Sequence, residues 1–263
     1  MAQPKYRQIA SELRDQIVSG ALREGDRLPT EPKLQEQYDA SRNTVRDATA
    51  LLVHEGLVHR VPGRGGGMIV RRRATLTFHA HRAEMPAQPT AETDAWRSEV
   101  AAQGYAASQD FSLMIRSISP DLAERLHVEP DSVAVLRRCI RYVNSQPSSL
   151  QDTYYPMDLA EEIRELLSPK DIPQGTTRLL AERGHEQVAY YDEYVSRMPT
   201  PEETNLLGLQ PGTSILLHIR TGYTEHRPVR VSFNVLAGDR NQIVTTHGDL
   251  RIIARFRPEE APE

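Results

Sequence analysis

Residues 120–155 and 201–236 are diverged copies of one another at a constant offset of 81 positions, and this repeat constrains the fold more than any other feature. Pro120 corresponds to Pro201, Leu126 to Leu207, Pro130 to Pro211, Tyr142 to Tyr223 and Pro147 to Pro228. Each copy reads as a short helix after Ser/Thr-Pro, a Leu-x-[Val/Leu]-x-Pro turn, a strand (133–142; 215–223), a turn and a second strand (150–155; 229–236). Upstream of each copy, a helix ended by Gly104 or Gly184 leads into a further strand (108–118; 187–198). Two such units most simply form one antiparallel sheet with helices around it, an α+β domain.

The chain's 263 residues allow two ordinary domains, and 38% apolar residues let each bury a core without metal or disulfide help. The lone Cys139 excludes an internal disulfide and a multi-cysteine zinc site. With no apolar run resembling a signal peptide and no stretch long enough to cross a bilayer, the expectation is a soluble cytoplasmic protein without a membrane partner. Charge divides unevenly. Residues 1–73 hold 13 Lys+Arg against 9 Asp+Glu, whereas residues 74–263 hold 19 against 27, so a basic head of +4 precedes an acidic body of −8. Such a head suits a module that approaches phosphates.

In the head, Tyr6, Ile9, Leu13 and Ile17 share one helical face, and Gly20 stops that helix. Thr30-Glu31-Pro32 offers a capping hydroxyl and a first-turn proline to a second helix carrying Leu34 and Tyr38. Only Asp39-Ala40 separates it from Ser41, which can cap a third helix burying Val45, Ala48 and Leu52. Two helices joined by so tight a turn read as helix-turn-helix. Arg42 and Arg46, four apart, project from one face beside Asn43 and Thr44, at the end of the helix that enters a major groove. An arginine there can give two hydrogen bonds to guanine, an asparagine can read adenine, and a threonine can bind phosphate. Ordinary solvated helix arginines are the competing reading.

Gly56 ends the third helix, 57–61 and 68–70 alternate like strands, and Pro62-Gly-Arg-Gly-Gly-Gly67 links them as a hairpin. A hairpin after a recognition helix reads as a wing. Its glycines let the backbone approach a minor groove, and Arg64 at the tip can enter the negative potential there. A nucleotide-phosphate loop is disfavoured, because no helix follows the glycines and no Lys-Ser/Thr ends them.

Tyr6-Arg-Gln-Ile-Ala10, Gly25-Asp-Arg-Leu-Pro-Thr-Glu31, Ser41-Arg-Asn-Thr-Val-Arg46, Glu55-Gly-Leu57 and Gly63-Arg-Gly65 together resemble the DNA-binding domain of the GntR family over residues 4–70. The resemblance implies that Arg42 and Arg46 contact bases or phosphates, that Thr44 contacts a phosphate, and that Gly63 enters the minor groove with Arg64 and Gly65 beside it. One departure is Thr30-Glu31-Pro32 where the family has Ser-Glu-Arg, which removes a DNA-contacting arginine and leaves Lys33 as its substitute.

The order of elements in the body, with Leu136-Arg-Arg-Cys-Ile-Arg141, Tyr154-Tyr-Pro156 and Gly238-Asp-Arg240, resembles the UTRA effector domain of the HutC subgroup, which has a chorismate-lyase-like fold. In members that bind phosphorylated sugars the resemblance implies six ligand positions, held here by Cys139, Arg141, Gln151, Thr176, Arg230 and Leu236. Arg141 and Thr176 keep the family's chemistry. Gln151 and Arg230 replace acidic acceptors, which disfavours a polyhydroxylated ligand and favours a more anionic or acceptor-rich one.

These readings divide the chain into a winged helix-turn-helix (1–73), a linker (74–92), an effector-binding and dimerisation domain (93–248), and a C-terminal strand with a disordered tail (249–263). The expected function is a sequence-specific DNA-binding transcriptional regulator, a repressor released by a small-molecule effector, acting at the nucleoid without cofactor, metal or catalysis. Its expected partners are an inverted-repeat DNA operator, a second copy of the chain and the effector, whose candidate contacts are Arg141, Gln151, Thr176 and Arg230. His79-Ala-His81 reads as solvated linker rather than a metal site. One alternative is a ligand-independent repressor, such as one guarding plasmid transfer, whose body only dimerises. An enzyme is the other, since the fold resembles a lyase and some relatives carry an aminotransferase domain, but the body's single lysine, Lys170, lies in no cofactor motif.

Overall fold

The computed structural model describes residues 4–23, 25–61, 63, 67–70, 76–79, 95–209, 212–246 and 250–256. They fall into two compact units: Met1–Ala74 with Arg197–Ile215 and Ala237–Arg240, and Thr75–Ser196 with Leu216–Leu236 and Asn241–Glu263.

In the head, α1 (Lys5–Val18), α2 (Glu31–Tyr38) and α3 (Arg42–His54) are followed by the antiparallel hairpin β1 (Val58–Val61) and β2 (Gly67–Val70). The apolar stripes meet in a core of Ile9, Leu13, Leu34, Val45, Ala48, Leu52, Val58 and Val70. The tight turn is possible because Asp39 closes α2 at φ 45°, a left-handed conformation that a short polar side chain tolerates. Ser41 then caps α3, accepting from the Thr44 amide at 3.2 Å. Thr30 occupies the N-cap of α2, but its hydroxyl makes no cap bond, contrary to expectation. Pro32 at the second helical position has no N–H to offer, which removes one of the two donors such a cap uses. Arg27 forms an isolated antiparallel bridge with Ile69 of the hairpin, with Leu28 N donating to Met68 O and Val70 N to Asp26 O, each at 2.8 Å.

The body follows the repeat. Its elements are α4 (Ala95–Ala102), β4 (Ala107–Ser117), α5 (Pro120–Leu126), β5 (Val133–Val143), β6 (Gln146–Pro156), α6 (Met157–Glu162), a 3-10 turn (Arg164–Leu167), α7 (Thr176–Glu182), β7 (Ala189–Arg197), α8 (Pro201–Leu207), β8 (Ile215–Tyr223) and β9 (Pro228–Ala237). The six strands form one sheet in the order β4-β5-β6-β9-β8-β7. Each repeat contributes a three-stranded meander, and the two join along β6 and β9. Asp152 there faces Phe233, its own repeat equivalent, so a local twofold axis passes through that pair. The helices after Ser/Thr-Pro match as well. Ser119 caps α5, Thr200 caps α8 in a capping box with Glu203, and the equivalent residues His127 and Gly208 end them in the left-handed region.

Two cores flank the sheet. Leu159, Ile163, Leu166, Leu179 and Leu180 pack on Val135 and Tyr155, while Leu122 and Leu126 of α5 pack with Ala134, Ile219 and Val231. Two assignments need correction. Within the stretch expected as linker, Leu76–His79 form β3, paired in parallel with β10 (Asn241–Val244) and braced by the Gln103 amide, which bonds both the N–H and the C=O of Thr77. His79 therefore lies in a strand, and His81 falls outside the described residues. Leu250–Phe256, within the stretch 249–263 expected to hold a C-terminal strand, form helix α9 instead; the β-branched Ile252 and Ile253 carry only a weak strand preference that context overrides. The tail 257–263 lies outside the described residues.

Candidate DNA-binding face and candidate effector site

Arg42, Asn43 and Arg46 are exposed on the first turns of α3, with Thr44 half-buried among them and Lys33 exposed on α2. The Arg42 guanidinium leans towards Glu31 at 3.4 Å, but with the arginine side chain 71% exposed this ion pair is weak enough to yield to a phosphate. The Thr44 hydroxyl lies 2.8 Å from that of Ser41. Gly63 sits exposed at the start of the wing turn with φ 108° and open space where a Cβ would stand, a conformation suited to glycine. Arg64 and Gly65 lie outside the described residues.

In the body, period-two alternation puts Arg137, Cys139 and Arg141 of β5 on one face of the sheet. Register sets Thr153, Gln151 and Ser149 of β6 beside them, then Ser232, Asn234 and Leu236 of β9. Hydrogen bonds link the middle of this face: Gln151 Nε2 donates to Thr153 Oγ1 at 3.2 Å, and Thr153 and Ser232 share a bond of 3.1 Å. Of the residues expected to hold an effector, Thr176 and Arg230 are brought together, Nη1 donating to Oγ1 at 3.4 Å. Gly175 occupies the N-cap of α7, and the Thr176 hydroxyl is thus not the helix cap. Arg141 lies at the opposite corner of the face, its guanidinium over the Trp96 ring at 5.1 Å and its buried Nε without a partner. Cys139 and Leu236 are buried and offer no charge.

Four ionisable residues of this face escaped sequence reasoning. Arg137 is 5% exposed, and its guanidinium donates to the carbonyls of Glu165, Leu166, Ser168 and Lys170, holding the 3-10 turn and the segment after it; burial lowers its pKa. Asp192 of β7 accepts two bonds of 2.7 Å from Arg220 and shares one of 2.8 Å with His218 Nε2. Burial alone would raise the Asp192 carboxyl, but the arginine and histidine hydrogen bonds outweigh it and hold the group far below the usual carboxylate range. Tyr194 stacks on His218 with centroids 4.8 Å apart, and Tyr190 lies under Arg220. The repeat carried a signal for these residues, since His218 and Arg220 occupy the equivalents of Arg137 and Cys139. Among the described residues, no cluster of three or more His, Cys, Asp or Glu could hold a metal ion, and no helix is long and apolar enough to cross a membrane.

The model of bacterial regulatory proteins of the gntR family matches residues 5–67, and the UTRA domain model matches residues 102–242. The chain is 28% identical over 258 residues to the HTH-type transcriptional repressor NagR of Bacillus subtilis, covering 92% of this chain and 93% of NagR. It is also 28% identical over 225 residues to the mannosyl-D-glycerate transport/metabolism system repressor MngR of Escherichia coli, covering 84% and 85%. A crystal structure described as a putative GntR-family transcriptional regulator shares the fold, with a TM-score of 0.63 at 24% identity over 94% of this chain and 98% of that one. The chain therefore belongs to the GntR family of bacterial regulatory proteins, in its UTRA-containing HutC subfamily, and is a DNA-binding transcriptional regulator rather than an enzyme.

Proposed function

We propose that the chain is a homodimeric repressor, that its two recognition helices read an inverted repeat, and that a small anionic effector bound on the polar face of the sheet weakens its hold on DNA. The observation that carries the effector half of this reading is that Arg141 and Arg230 each have a buried Nε without a partner. A guanidinium withdrawn from water needs an anion or a full set of acceptors, and a ligand can supply both. Arg42, Asn43, Thr44 and Arg46 read the major groove, Lys33 supports them, and Gly63 with Arg64 and Gly65 forms the wing. Arg141, Gln151, Thr176 and Arg230 serve the effector. In this reading residues 1–73 form the DNA-binding domain and residues 93–248 the effector and dimerisation domain, working in the cytoplasm. NagR and MngR are both named repressors, which supports repression. Effector binding favours one of two states of the dimer, and the other fits successive major grooves.

The test is fluorescence anisotropy with DNA from immediately upstream of the protein's own gene, at two salt concentrations with nonspecific competitor, followed by a metabolite extract. Specific, salt-sensitive binding that the extract releases supports the reading, whereas specific binding that no extract releases favours a repressor whose body only dimerises. Arg141→Ala should keep operator affinity and lose release; a variant that still releases fully removes Arg141 from the effector site.

A further inference from the structure

We infer that the second repeat carries an anion subsite built from Arg230, Gln187 and Thr176 around Gly222, and that it takes an oxyanion with a hydrogen-bond donor beside it, as in an α-hydroxy or α-amino carboxylate. The inference rests on the effector reading above and adds to it two residues and a ligand chemistry. Gln187 is only 8% exposed, yet both its Nε2 and its Oε1 are buried without a hydrogen-bond partner. Arg230 is 7% exposed, its Nε is likewise unpartnered, and its one hydrogen bond among the described residues is the 3.4 Å contact with Thr176. Val188 N donates to Tyr223 O at 2.8 Å, which pins the glutamine beside Gly222. A Cβ at Gly222 would overlap the Gln187 amide and stand 3.5 Å from Arg230 Cγ. Glycine at that position is thus what lets the amide lie beside the Arg230 side chain.

Comparison of the repeats shows how the subsite differs from its counterpart. Arg141 pairs with Ser149 across β5 and β6, and the equivalents of these two residues are Gly222 and Arg230. Each half therefore places one guanidinium at this strand pair, but on opposite strands, and only the second half leaves room for an amide beside it. The neighbouring carboxylate, Asp192, is already engaged by Arg220 and His218. The two side chains that flank Gly222 hold three unsatisfied atoms: the Arg230 Nε and Gln187 Nε2 donors, and the Gln187 Oε1 acceptor. Buried polar atoms left unpaired are costly. An oxyanion accepts from both donors, and an adjacent hydroxyl or ammonium group donates to the acceptor. A singly protonated phosphate offers the same pattern from one group.

The experiment titrates the full-length, DNA-free protein with glycolate, acetate and inorganic phosphate at matched ionic strength, by calorimetry and thermal melting. Glycolate or phosphate is expected to bind at least tenfold more tightly than acetate; glycolate ahead identifies a hydroxy acid as the source of the oxyanion, and phosphate ahead identifies a phosphate. Gln187→Leu should erase that preference while leaving acetate binding, and Gly222→Ala should do the same by displacing the amide. Arg230→Met should abolish binding of all three probes without lowering the ligand-free melting temperature, because an unneutralised buried charge has been removed. Wild-type protein that binds none of the probes, a preference that survives Gln187→Leu, or unchanged binding in Arg230→Met overturns the subsite. Probe binding that leaves DNA affinity untouched keeps the subsite and removes the effector reading. Release of wild type, Gln187→Leu and Arg230→Met alike by a metabolite extract keeps the effector reading and removes the subsite.

Discussion

The head and the sheet face use arginine in opposite ways. Arg42 and Arg46 stand in water on α3, where a cation that is unpaired, or held only by the loose contact of Arg42 with Glu31, carries little penalty. Arg137, Arg220 and Arg230 are each at most 7% exposed, and each must be compensated from within or by a ligand. The compensation differs in all three: backbone carbonyls for Arg137, a carboxylate for Arg220, and for Arg230 a single threonine hydroxyl. Replacing an exposed arginine of the head therefore leaves the fold undisturbed, whereas on the sheet face Arg137 and Arg220 belong to the interactions that hold the fold together.

Breaking the buried ion cluster tests that contrast most severely. Asp192→Asn leaves Arg220 and His218 without their anion at 4% and 1% side-chain exposure, and should cost about 3–5 kcal/mol in urea unfolding. A loss under 1 kcal/mol would mean that water reaches the cluster and that this part of the sheet face is not dry. The same carboxylate sets an acid limit. Because its folded pKa is held below the unfolded value, the stability it supplies is complete above the ordinary carboxylate range and drains away as pH falls through the folded value. Glu203, lowered chiefly by its hydrogen bond from Arg197, acts in the same direction. Urea midpoints should be flat with respect to these groups near neutrality and fall below about pH 4, with a shallower fall in Asp192→Asn.

Arg46→Ala probes the other side of the comparison. It should weaken operator binding by about 1–3 kcal/mol and relax base preference at one position, with no shift in the urea midpoint. Normal operator affinity would remove Arg46 from the recognition surface, and a lowered midpoint would place the head under the same rule as the sheet face.

That difference also decided what could be read from the sequence. Residues on a short amphipathic helix keep their order and spacing, so Ser41-Arg-Asn-Thr-Val-Arg46 was legible as the start of a capped helix in a helix-turn-helix, and the repeat set the order and approximate bounds of the six strands, although β6 begins four residues before the expected 150. On the sheet face the usual inference inverts. Alternation along a strand normally assigns charged residues to solvent, but α6, the 3-10 turn and α7 cover the side of β5 that carries Arg137, which was overlooked for that reason. Asp192, His218 and Arg220 were overlooked because they satisfy one another across two strands, β7 and β8, a pairing that no single strand's alternation reveals. Gln187 gave no pattern at all, because its meaning comes from a glycine on another strand. The pair β3 and β10 was illegible for a related reason: two four-residue strands separated by most of the body carry no periodic signal.

The smallest effect distinguishes support of the recognition helix from contact with DNA. Ser41 Oγ accepts from the Thr44 amide at 3.2 Å and lies 2.8 Å from the Thr44 hydroxyl, so one side chain both caps α3 and occupies the group expected to meet a phosphate. Ser41→Ala removes the cap and should lower stability by about 1 kcal/mol. It also frees the Thr44 hydroxyl, which can then give its hydrogen bond wholly to phosphate. The two consequences oppose each other in DNA binding, and operator affinity should change less than twofold while the urea midpoint falls. Ser41→Gly, which costs only a few tenths of a kcal/mol as a cap, separates them further: the hydroxyl is freed with the helix start nearly intact, and affinity should rise slightly. If both variants lost affinity in proportion to their loss of stability, the order of the helix start would be what DNA reads, and the head would lose the independence of binding from folding that sets it apart from the sheet face.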